Sequence, residues 1–328
     1  MLAKILKKTL ISIIALTFIF ACASCKNANP SYVDAKVSVY FLDVHDGNAT
    51  LIKTPTGKTF LIDCGGKYTS SDLVKRLKEY NVSKIDYLIL SHFDDEHIGA
   101  TETILDNFEV VCAYVPYIED YSLSIFASFV NVYYKLKTKL SDESIKTNKI
   151  FETIKEEDCI LTFLSPEAPN IKNGEYKNLY STLTPSEEQV DAISAVIYFR
   201  YKDVSFLFSH DAGTEQENKI LEKDDINAYN YYFDGERKVD ISEIDFLCVA
   251  REGGENASSE KFLNRLKPKN AIVSVSGYNS KGNPKLSVLL RIQSASPSCK
   301  IYRTDICGDI AVFIDKNANY NIYKQNEL

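Results

Sequence analysis

From residue 36 onward, short apolar runs alternate with turn signals, a pattern typical of a protein built from strands and helices. Three strands are predicted first, in the runs VSVYFLDV (37–44), ATLIKT (49–54) and KTFLIDC (58–64). A Pro-Thr-Gly turn joins the second run to the third, which indicates an antiparallel meander. Between residues 70 and 80 the apolar positions recur at helical spacing, so we expect a helix that packs on this sheet.

The later runs predict further strands, and polar clusters follow the ends of these strands. IDYLILS (85–91) is almost continuously apolar, which is typical of a strand covered on both faces. Other strands are expected in EVVCAYVP, CILTFL, ISAVIYFRY, VSFLFSH, DFLCVA and NAIVSVS, and KIYRT with DIAVFID is expected to form a closing hairpin. Because no linker rich in Pro, Ser or Gly divides the chain, we predict one α/β domain over 36–328, with a long insertion around 117–190.

The first 25 residues have the pattern of an export signal peptide. Three lysines precede an uncharged run of 17 residues that ends at Cys25, which is shorter than the ~20 residues of a membrane-spanning helix. The segment IFAC (19–22) resembles a bacterial lipoprotein signal, so Cys22 is the expected lipidated residue and Cys25 the other candidate. An ordinary membrane-anchor helix is the alternative. In both cases residues 26–35 form a short linker, and the domain is exported, either to the outer face of the cytoplasmic membrane or to the extracellular space.

The charge of the chain limits its partners. It has 38 Lys and Arg residues against 45 Asp and Glu, a formal charge of −7, which becomes −10 when residues 1–21 and their three lysines are removed. Extended nucleic-acid binding is therefore not expected, because a broad basic face is needed to neutralise the phosphates. The six cysteines after residue 25 include no C-x-x-C pair, which excludes a zinc ribbon.

The densest candidate for chemistry is the segment SHFDDEHIG (91–99). Two of the four histidines and three carboxylates lie within six residues, directly after a buried strand. Imidazole and carboxylate groups together are common metal ligands, and a loop that enters a helix lets several of them converge. The segment therefore predicts a metal site, and the alternative is a solvated acidic turn with incidental histidines.

Five segments, in this order, resemble the metallo-β-lactamase superfamily, and within it the extracellular hydrolase domain of ComEC-type DNA-uptake proteins. They are FLDVHDGNATLI (41–52), LIDCGG (61–66), SHFDDEHIGA (91–100), FLFSHDAG (206–213) and VAREGGENASSEKFL (249–263). The resemblance covers roughly residues 36–315. It implies an αββα four-layer sandwich, with a metal cleft at the edge where the strand-end loops meet.

The resemblance also implies a set of metal ligands, of which several have changed type. The ligands that map onto the motifs of the family, the last being its bridging aspartate, are His92, Asp94, Glu96, His97 and Asp211. The second His of the family pattern is here a carboxylate, and the Asp is the longer Glu96. Arg251 and Glu252 stand where the family has a His-His pair, so the last ligand of the second metal site is missing.

One hypothesis is a divergent, membrane-anchored metal-dependent hydrolase that acts on a phosphodiester, an ester or another small molecule. The resemblance implies one or two divalent cations, Zn, Mn or Fe, and the exchange of imidazoles for carboxylates favours Mn²⁺, Fe²⁺ or Mg²⁺ over zinc. Asp211 would orient the nucleophile. His45 and His210 are additional histidines that would replace lost ligands or act as general acids.

The other hypothesis is a catalytically inactive protein that keeps the fold and binds a ligand or partner in its cleft. A guanidinium is always charged and pairs with carboxylates, so Arg251, with Glu252 beside it, would replace the metal. The alternative for Arg251 is contact with a substrate phosphate. A purely structural envelope lipoprotein, which would use none of these residues, is a third class.

Overall fold

The computed structural model describes residues 34–117, 127–167, 186–230 and 239–326. The strands in these ranges are β1 (Val37–Phe41), β2 (Thr50–Lys53), β3 (Thr59–Ile62), β4 (Lys84–Ile89), β5 (Glu109–Val115), β6 (Ile145–Thr147), β7 (Thr153–Glu156), β8 (Cys159–Ser165), β9 (Val196–Tyr201), β10 (Val204–Phe208), β11 (Phe246–Cys248), β12 (Asn270–Val273), β13 (Lys300–Arg303), β14 (Ile310–Ile314) and β15 (Tyr320–Lys324). The helices are α1 (Ser70–Glu79), α2 (Asp95–Ile98), α3 (Thr101–Asn107), α4 (Ala127–Lys139), α5 (Glu187–Asp191), α6 (Thr214–Asp225), α7 (Glu260–Leu266), α8 (Leu286–Ala295) and α9 (Thr304–Cys307).

The strands form two sheets. The first has eight strands in the order β15-β14-β1-β2-β3-β4-β5-β6, and the second has seven in the order β13-β12-β11-β10-β9-β8-β7. β1, β2 and β3 pair antiparallel as predicted, whereas β3, β4 and β5 run parallel. In the second sheet β10, β11 and β12 are also parallel. The parallel strands bring their carboxyl ends to one edge of each sheet, where ligands bind in open α/β sheets.

Alternation of side chains along the strands divides the core into three apolar layers. Val37, Val39 and Phe41 of β1 face the layer between the two sheets, and Tyr40 faces the layer under the helices. Helices α1, α3 and α4 cover the first sheet, while α6, α7 and α8 cover the second. The arrangement is the predicted αββα four-layer sandwich, because each sheet buries one face against the other and one against helices.

The predicted closing hairpin of KIYRT with DIAVFID is wrong. β13 is the edge strand of the second sheet and pairs parallel with β12, whereas β14 pairs antiparallel with β1 and β15 in the first sheet. The short helix α9 carries the chain from one sheet to the other. Both runs are apolar at the period of a strand, and that local pattern does not specify which sheet a strand joins.

Two sequence predictions concern parts of the chain that the structure describes incompletely. The range 117–190 supplies β6 to the first sheet and β7 and β8 to the second, while residues 118–126 and 168–185 lie outside the described residues. The export signal, with Cys22 and Cys25, also lies outside them, as does most of the 26–35 linker. Within the described ranges, none of the helices is both long enough and apolar enough to cross a bilayer.

A buried network joins the start of β14 to α1 and to the loop after β1. One oxygen of the Asp309 carboxylate accepts hydrogen bonds from Arg76 Nη1 (2.5 Å) and from the Asp43 N–H (2.7 Å), and the other accepts from the Tyr80 hydroxyl (2.7 Å). The Asp309 side chain is 2% exposed and that of Arg76 is 17% exposed. Removal of either charge would leave the other buried with its pairing lost.

We expect Asp309→Ala to lower the free energy of unfolding by about 3 kcal/mol, since it breaks a buried ion pair and two further hydrogen bonds. Urea denaturation followed by circular dichroism measures this change. Asp142→Ala is the matched control, because Asp142 is 79% exposed in its pair with Lys137 and its loss is expected to leave the transition unchanged. Equal effects of the two substitutions would contradict the assigned role of the network.

Candidate metal centre

The candidate site is formed by loops that follow parallel strands. Asp63 follows β3 and His92 follows β4 in the first sheet, whereas Asp211 follows β10 and Arg251 follows β11 in the second. The segment that precedes β9 reaches the same edge, because β9 runs antiparallel to β10. The site therefore combines strand ends of both sheets, whose residues are far apart in the sequence.

His92 and His97 are both fully buried, and each has one ring nitrogen held by the protein. His92 Nδ1 lies 2.8 Å from Ser91 Oγ and 3.3 Å from Ser194 Oγ. His97 Nδ1 lies 2.8 Å from Asp63 Oδ2. The opposite nitrogens, Nε2, are thereby directed toward Asp211. Carboxylates and hydroxyls on the distal nitrogen are the usual way to fix the orientation of a ligating imidazole.

Asp211 lies between the two histidines. Its Oδ2 is 3.6 Å from His92 Nε2, and its Oδ1 is 3.4 Å from His97 Nε2. In the described part of the chain, His92 Nε2 and Asp211 Oδ1 are buried and have no hydrogen-bond partner. Buried polar atoms are rarely left unsatisfied, so these two atoms indicate a position at which another group binds.

The potential metal ligands form two groups that share His92 and Asp211. One group is His92, His97 and Asp211, and the other is His92, Asp94, Asp191 and Asp211; within each group one ligand atom per residue lies within 4.8 Å of the others. Asp94 Oδ2 is 3.6 Å from His92 Nε2. Asp191, the last residue of α5, was not predicted from the sequence. The only signal for it is its position just before a strand that starts at this edge.

The charges in the cluster are strongly coupled. Burial and the neighbouring His97 lower the pKa of His92, but the carboxylates of Asp211 and Asp94 outweigh them and raise it to about 9. Burial likewise opposes the charge on Asp211, yet the two histidines hold the pKa of its carboxyl well below the usual range. Burial, followed by the charge on Asp211, raises the pKa of Asp191 to about 7. Carboxylates crowd this site in excess of the nearby positive charge.

The residues present fit a divalent cation. The orphaned atoms are an imidazole nitrogen and a carboxylate oxygen, both of which are metal ligands, and the other nitrogen of each histidine is already engaged. A donor set with two imidazoles and up to three carboxylates suits zinc, manganese or iron. The structure therefore offers a possible His/Asp metal site and leaves the identity of the metal open.

Asp63 lies behind the two histidines and connects them, a role that its sequence motif, LIDCGG (61–66), did not predict. Its Oδ1 accepts a hydrogen bond from the Ser91 N–H (2.7 Å), and its Oδ2 accepts from Ser91 Oγ (2.7 Å) and lies against His97. The side chain is 0% exposed and its backbone is left-handed, with φ of 56°. Asp63 thus orients His97 directly and His92 through Ser91.

Several predicted site residues lie elsewhere. His210 was predicted as a ligand or general acid, but it is buried and its Nδ1 donates to the Ala195 carbonyl (2.6 Å), while its Nε2 lies 3.8 Å from Asp63. A general acid must present its proton to the substrate, so this orientation argues against that role. Glu96 was predicted as a ligand, but it is 44% exposed, 4.0 Å from Lys281, and belongs to neither ligand group.

Glu252 was predicted to meet substrate or replace the metal, but it connects two loops instead. Its Oε1 accepts a hydrogen bond from the Gly47 N–H (3.0 Å) in the loop that carries His45. A Cβ on Gly47 would lie 1.8 Å from the Glu96 carbonyl oxygen, and its φ is 86°, so this close approach requires glycine. His45 is exposed at the end of this loop.

Arg251 contacts a carboxylate of the second ligand group. Its guanidinium forms an ion pair with Asp191 through Nη1, and its side chain is 16% exposed. Because Asp211 Oδ1 and His92 Nε2 keep no hydrogen-bond partner in the described ranges, Arg251 does not occupy the position between the histidines and Asp211. Arg251 was predicted to replace the metal as the partner of the carboxylates. It pairs with Asp191 and makes no hydrogen bond with His92 Nε2 or Asp211 Oδ1.

Two cavities open next to the cluster. The larger, of about 950 Å³, is lined by His45, Asp46, Tyr68, Glu96 and residues of α1 and α4 among others. The smaller, of about 150 Å³, contains Asp211 and is lined by three basic residues, Arg251, Lys281 and Lys285. Glu96 lines both cavities, and Asp211 of the cluster lines the smaller one.

Comparison with known proteins identifies the fold. Residues 42–171 match the family model described as "Metallo-beta-lactamase superfamily". The chain is 22% identical over 317 residues to ComE operon protein 3 of Bacillus subtilis (strain 168), covering 91% of this chain but 34% of that protein, so it spans about a third of the relative. CmlA, a diiron beta-hydroxylase from Streptomyces venezuelae, superposes with a TM-score of 0.50 at 13% identity, over 87% of this chain and 55% of that one. The predicted sandwich fold is confirmed, and the match to the superfamily model extends over residues 42–171.

Proposed function

From its metallo-β-lactamase fold, we propose that this chain is a divergent metal-dependent hydrolase of the ComEC-type branch, which cleaves a phosphodiester or ester. The observation that carries the proposal is the pair of buried, unpartnered ligand atoms, His92 Nε2 and Asp211 Oδ1, beside histidines whose other nitrogens are engaged. A protein that kept only the scaffold would have no need to hold both imidazoles in a ligand orientation. The weak similarity to ComE operon protein 3 supports the branch.

In this proposal His92, Asp94, His97 and Asp211 hold the cation. When bound, a divalent cation lowers the pKa of a coordinated water and polarises a phosphoryl or carbonyl oxygen. Asp63 and Ser91 keep the two imidazoles in place, and Asp211 orients the nucleophile by accepting a hydrogen bond from it. His45, exposed on the larger cleft, donates a proton to the leaving group.

The substrate class follows from the smaller cavity. The cavity is lined by four carboxylates, including Asp211, and by three basic residues, Arg251, Lys281 and Lys285, and Arg and Lys bind the oxygens of a phosphate group. This favours a phosphodiester over a neutral ester. The cavity of about 950 Å³ accommodates a small molecule, and the net charge of −7 opposes binding of a long nucleic acid.

The proposed location is outside the cytoplasm. The lysines and the apolar run before Cys22 are the support for export and for a lipid anchor on the outer face of the membrane, with Cys25 as the other acylation site. An anchored hydrolase would meet substrates in the extracellular space or the cell envelope. Its membrane contact would then be made through the lipid and the 26–35 linker.

A catalytically inactive binding protein is the second candidate, and the Arg251–Asp191 ion pair is the observation that favours it. The guanidinium neutralises one carboxylate of the crowded cluster without a metal. In the described ranges, Asp94 and Asp211 lie beside the two histidines, whose charges oppose theirs. In this alternative the cleft binds an anionic ligand through its basic residues and hydrolyses nothing.

Elemental mass spectrometry of the full-length chain, purified in detergent without chelator, tests the proposal. We expect near-stoichiometric Mn, Fe or Zn, together with hydrolysis of bis-p-nitrophenyl phosphate. Asp94→Ala removes one ligand and is expected to weaken metal binding about 10-fold to 100-fold. Asp95→Ala is the matched control, because it removes the adjacent carboxylate, which belongs to neither ligand group.

Retention of metal in Asp95→Ala and its loss in Asp94→Ala would support a working site. If the parent protein contained no metal even after incubation with Mn²⁺ and Zn²⁺, the hydrolase would be rejected in favour of the binding protein. Metal in the parent without turnover of phosphodiesters or of p-nitrophenyl acetate would reject the substrate class and retain the metal site.

A further inference from the structure

Asp191 is placed between Arg251 and the candidate metal ligands. Its side chain is 2% exposed, and one carboxylate oxygen, Oδ2, accepts a hydrogen bond from Arg251 Nη1. The other oxygen, Oδ1, is buried and has no hydrogen-bond partner in the described part of the chain. A half-satisfied buried carboxylate is costly, so its free oxygen requires a partner.

The surroundings of Asp191 supply the geometry of a ligand. One of its oxygens lies within 4.8 Å of ligand atoms on His92, Asp94 and Asp211. Two of those residues also bring an unpartnered buried atom to the same place, His92 Nε2 and Asp211 Oδ1. Asp191, His92 and Asp211 reach the site from α5, the loop after β4 and the loop after β10, belong to one ligand group, and each carries a buried atom without a hydrogen-bond partner in the described ranges, which indicates a common ligand rather than an isolated packing defect.

Arg251 is held in position by its backbone. Its φ and ψ are 53° and 39°, and Glu252 is also left-handed, a conformation that non-glycine residues rarely adopt. The Arg251 N–H donates to the His210 carbonyl (2.7 Å), and its own carbonyl accepts from the Gly254 N–H (2.8 Å) and from Asn283 Nδ2 (3.2 Å). Such strained conformations persist where the surrounding structure determines them, and they cluster at functional sites.

We propose that Asp191 is a further metal-ligating carboxylate of this centre, and that Arg251 is the positioning residue that holds its second oxygen so that the first faces the cation. The inference rests on the proposed metal site and deepens it. A guanidinium cannot coordinate a metal and is always charged, so it fixes Asp191 without competing for the same oxygen. Arg251 thereby acts in support of the metal and is not its substitute.

The two roles for Arg251 predict opposite signs in a binding experiment. A positioning residue that is removed weakens metal binding, typically 10-fold to 100-fold. A cation that replaces the metal would, when removed, leave the carboxylates unpaired and strengthen metal binding. Arg251→Gln distinguishes the two, because it removes the charge and keeps most of the side-chain length.

The test measures Mn²⁺ binding to the full-length chain by loss of the electron paramagnetic resonance signal of free Mn²⁺, and Zn²⁺ binding by competition with a coloured chelator. We expect Asp191→Asn to weaken binding by about 100-fold and Arg251→Gln by about 10-fold or more. Arg251→Lys restores one charged hydrogen bond and is expected to recover part of the affinity. Neither readout depends on turnover.

Asp245→Asn is the matched control. Asp245 is also a buried aspartate with a basic partner, Lys269 at 2.8 Å, but it precedes β11 and lies at the opposite end of the strand from Arg251. We expect this variant to bind metal like the parent. A loss of affinity in Asp245→Asn equal to that in Asp191→Asn would show a general effect of destabilisation and would overturn the assignment.

The outcomes separate this inference from the proposed function. If the parent bound no metal, both would be rejected. If the parent bound metal and Asp191→Asn bound it equally well, only the ligand role of Asp191 would be rejected. Tighter binding by Arg251→Gln would overturn the positioning role. If Asp191→Asn did not unfold cooperatively, the comparison of Arg251→Gln with Arg251→Lys would decide, since partial rescue by lysine is expected only if a charge must hold Asp191.

Discussion

Asp211→Asn is expected to weaken Mn²⁺ or Zn²⁺ binding at least 100-fold and to reduce any phosphodiester hydrolysis to background. Asp211 lies within 3.6 Å of both His92 Nε2 and His97 Nε2 and belongs to both ligand groups, so no other carboxylate in the described ranges combines these positions. Asparagine keeps the volume but offers a neutral amide oxygen, a much weaker ligand for a divalent cation. Loss of supporting groups alone costs 10-fold to 100-fold, and loss of a shared ligand costs more.

Metal titration of the parent and the variant measures this effect, and nuclear magnetic resonance of the histidines in the metal-free proteins shows whether the site is still assembled. The carboxylate of Asp211 is one of the groups that raise the pKa of His92 to about 9, so we expect that pKa to fall in Asp211→Asn. Asp203→Asn is the control, because Asp203 is exposed in the turn at the other end of β10. A metal affinity for Asp211→Asn within about threefold of the parent would rule out the assigned centre.

Asp63→Ala is expected to have the largest effect on stability among the site residues. The substitution leaves the Ser91 N–H, Ser91 Oγ and His97 Nδ1 without their common partner in a fully buried position. It also places alanine at φ of 56°, which is unfavourable for a residue with a Cβ. We expect a loss of about 3–5 kcal/mol in the free energy of unfolding, as when a buried pair is broken, with a 10-fold to 100-fold loss of metal affinity.

Urea denaturation and metal titration of Asp63→Ala and Asp63→Asn measure the two effects. Asparagine tolerates left-handed backbone and keeps one acceptor, so we expect Asp63→Asn to retain more stability than Asp63→Ala but to bind metal more weakly than the parent. A loss of under about 1 kcal/mol in the free energy of unfolding of Asp63→Ala would contradict the expected effect. That result would mean that other contacts orient His97.

Local sequence pattern predicted twelve of the fifteen strands in the described ranges and missed β6, β7 and β15. The meander of β1, β2 and β3 follows from alternating apolar residues and one turn, both of which act over a few residues. The loop after β4 was predicted to carry ligands because the histidines and carboxylates of the cluster are contiguous in the chain. The structure brings four of the predicted ligands together: His92, Asp94, His97 and Asp211.

Other parts of the site were not accessible to such reasoning. Asp191 precedes an unremarkable strand, and its proximity to His92 depends on the antiparallel pairing of β9 with β10 and on how the second sheet faces the first. His210 adjoins Asp211 in sequence, yet its left-handed backbone turns the ring toward Ala195 and Asp63 instead of the cleft. Adjacent residues can point to opposite sides, so the position of His210 next to Asp211 in the sequence does not bring its ring into the cleft.

The sequence by itself determined most of the strands and the chemical types of residues available at the strand ends, and its resemblance to a known superfamily implied the αββα layering. Only the tertiary structure decided which sheet each of the last strands joins, which carboxylates converge and that Arg251 pairs with Asp191. The physical reason is the range of the forces involved. Periodic burial and turn formation act over a few residues, whereas this metal centre is assembled from the strand ends of two different sheets, which lie more than a hundred residues apart in the chain.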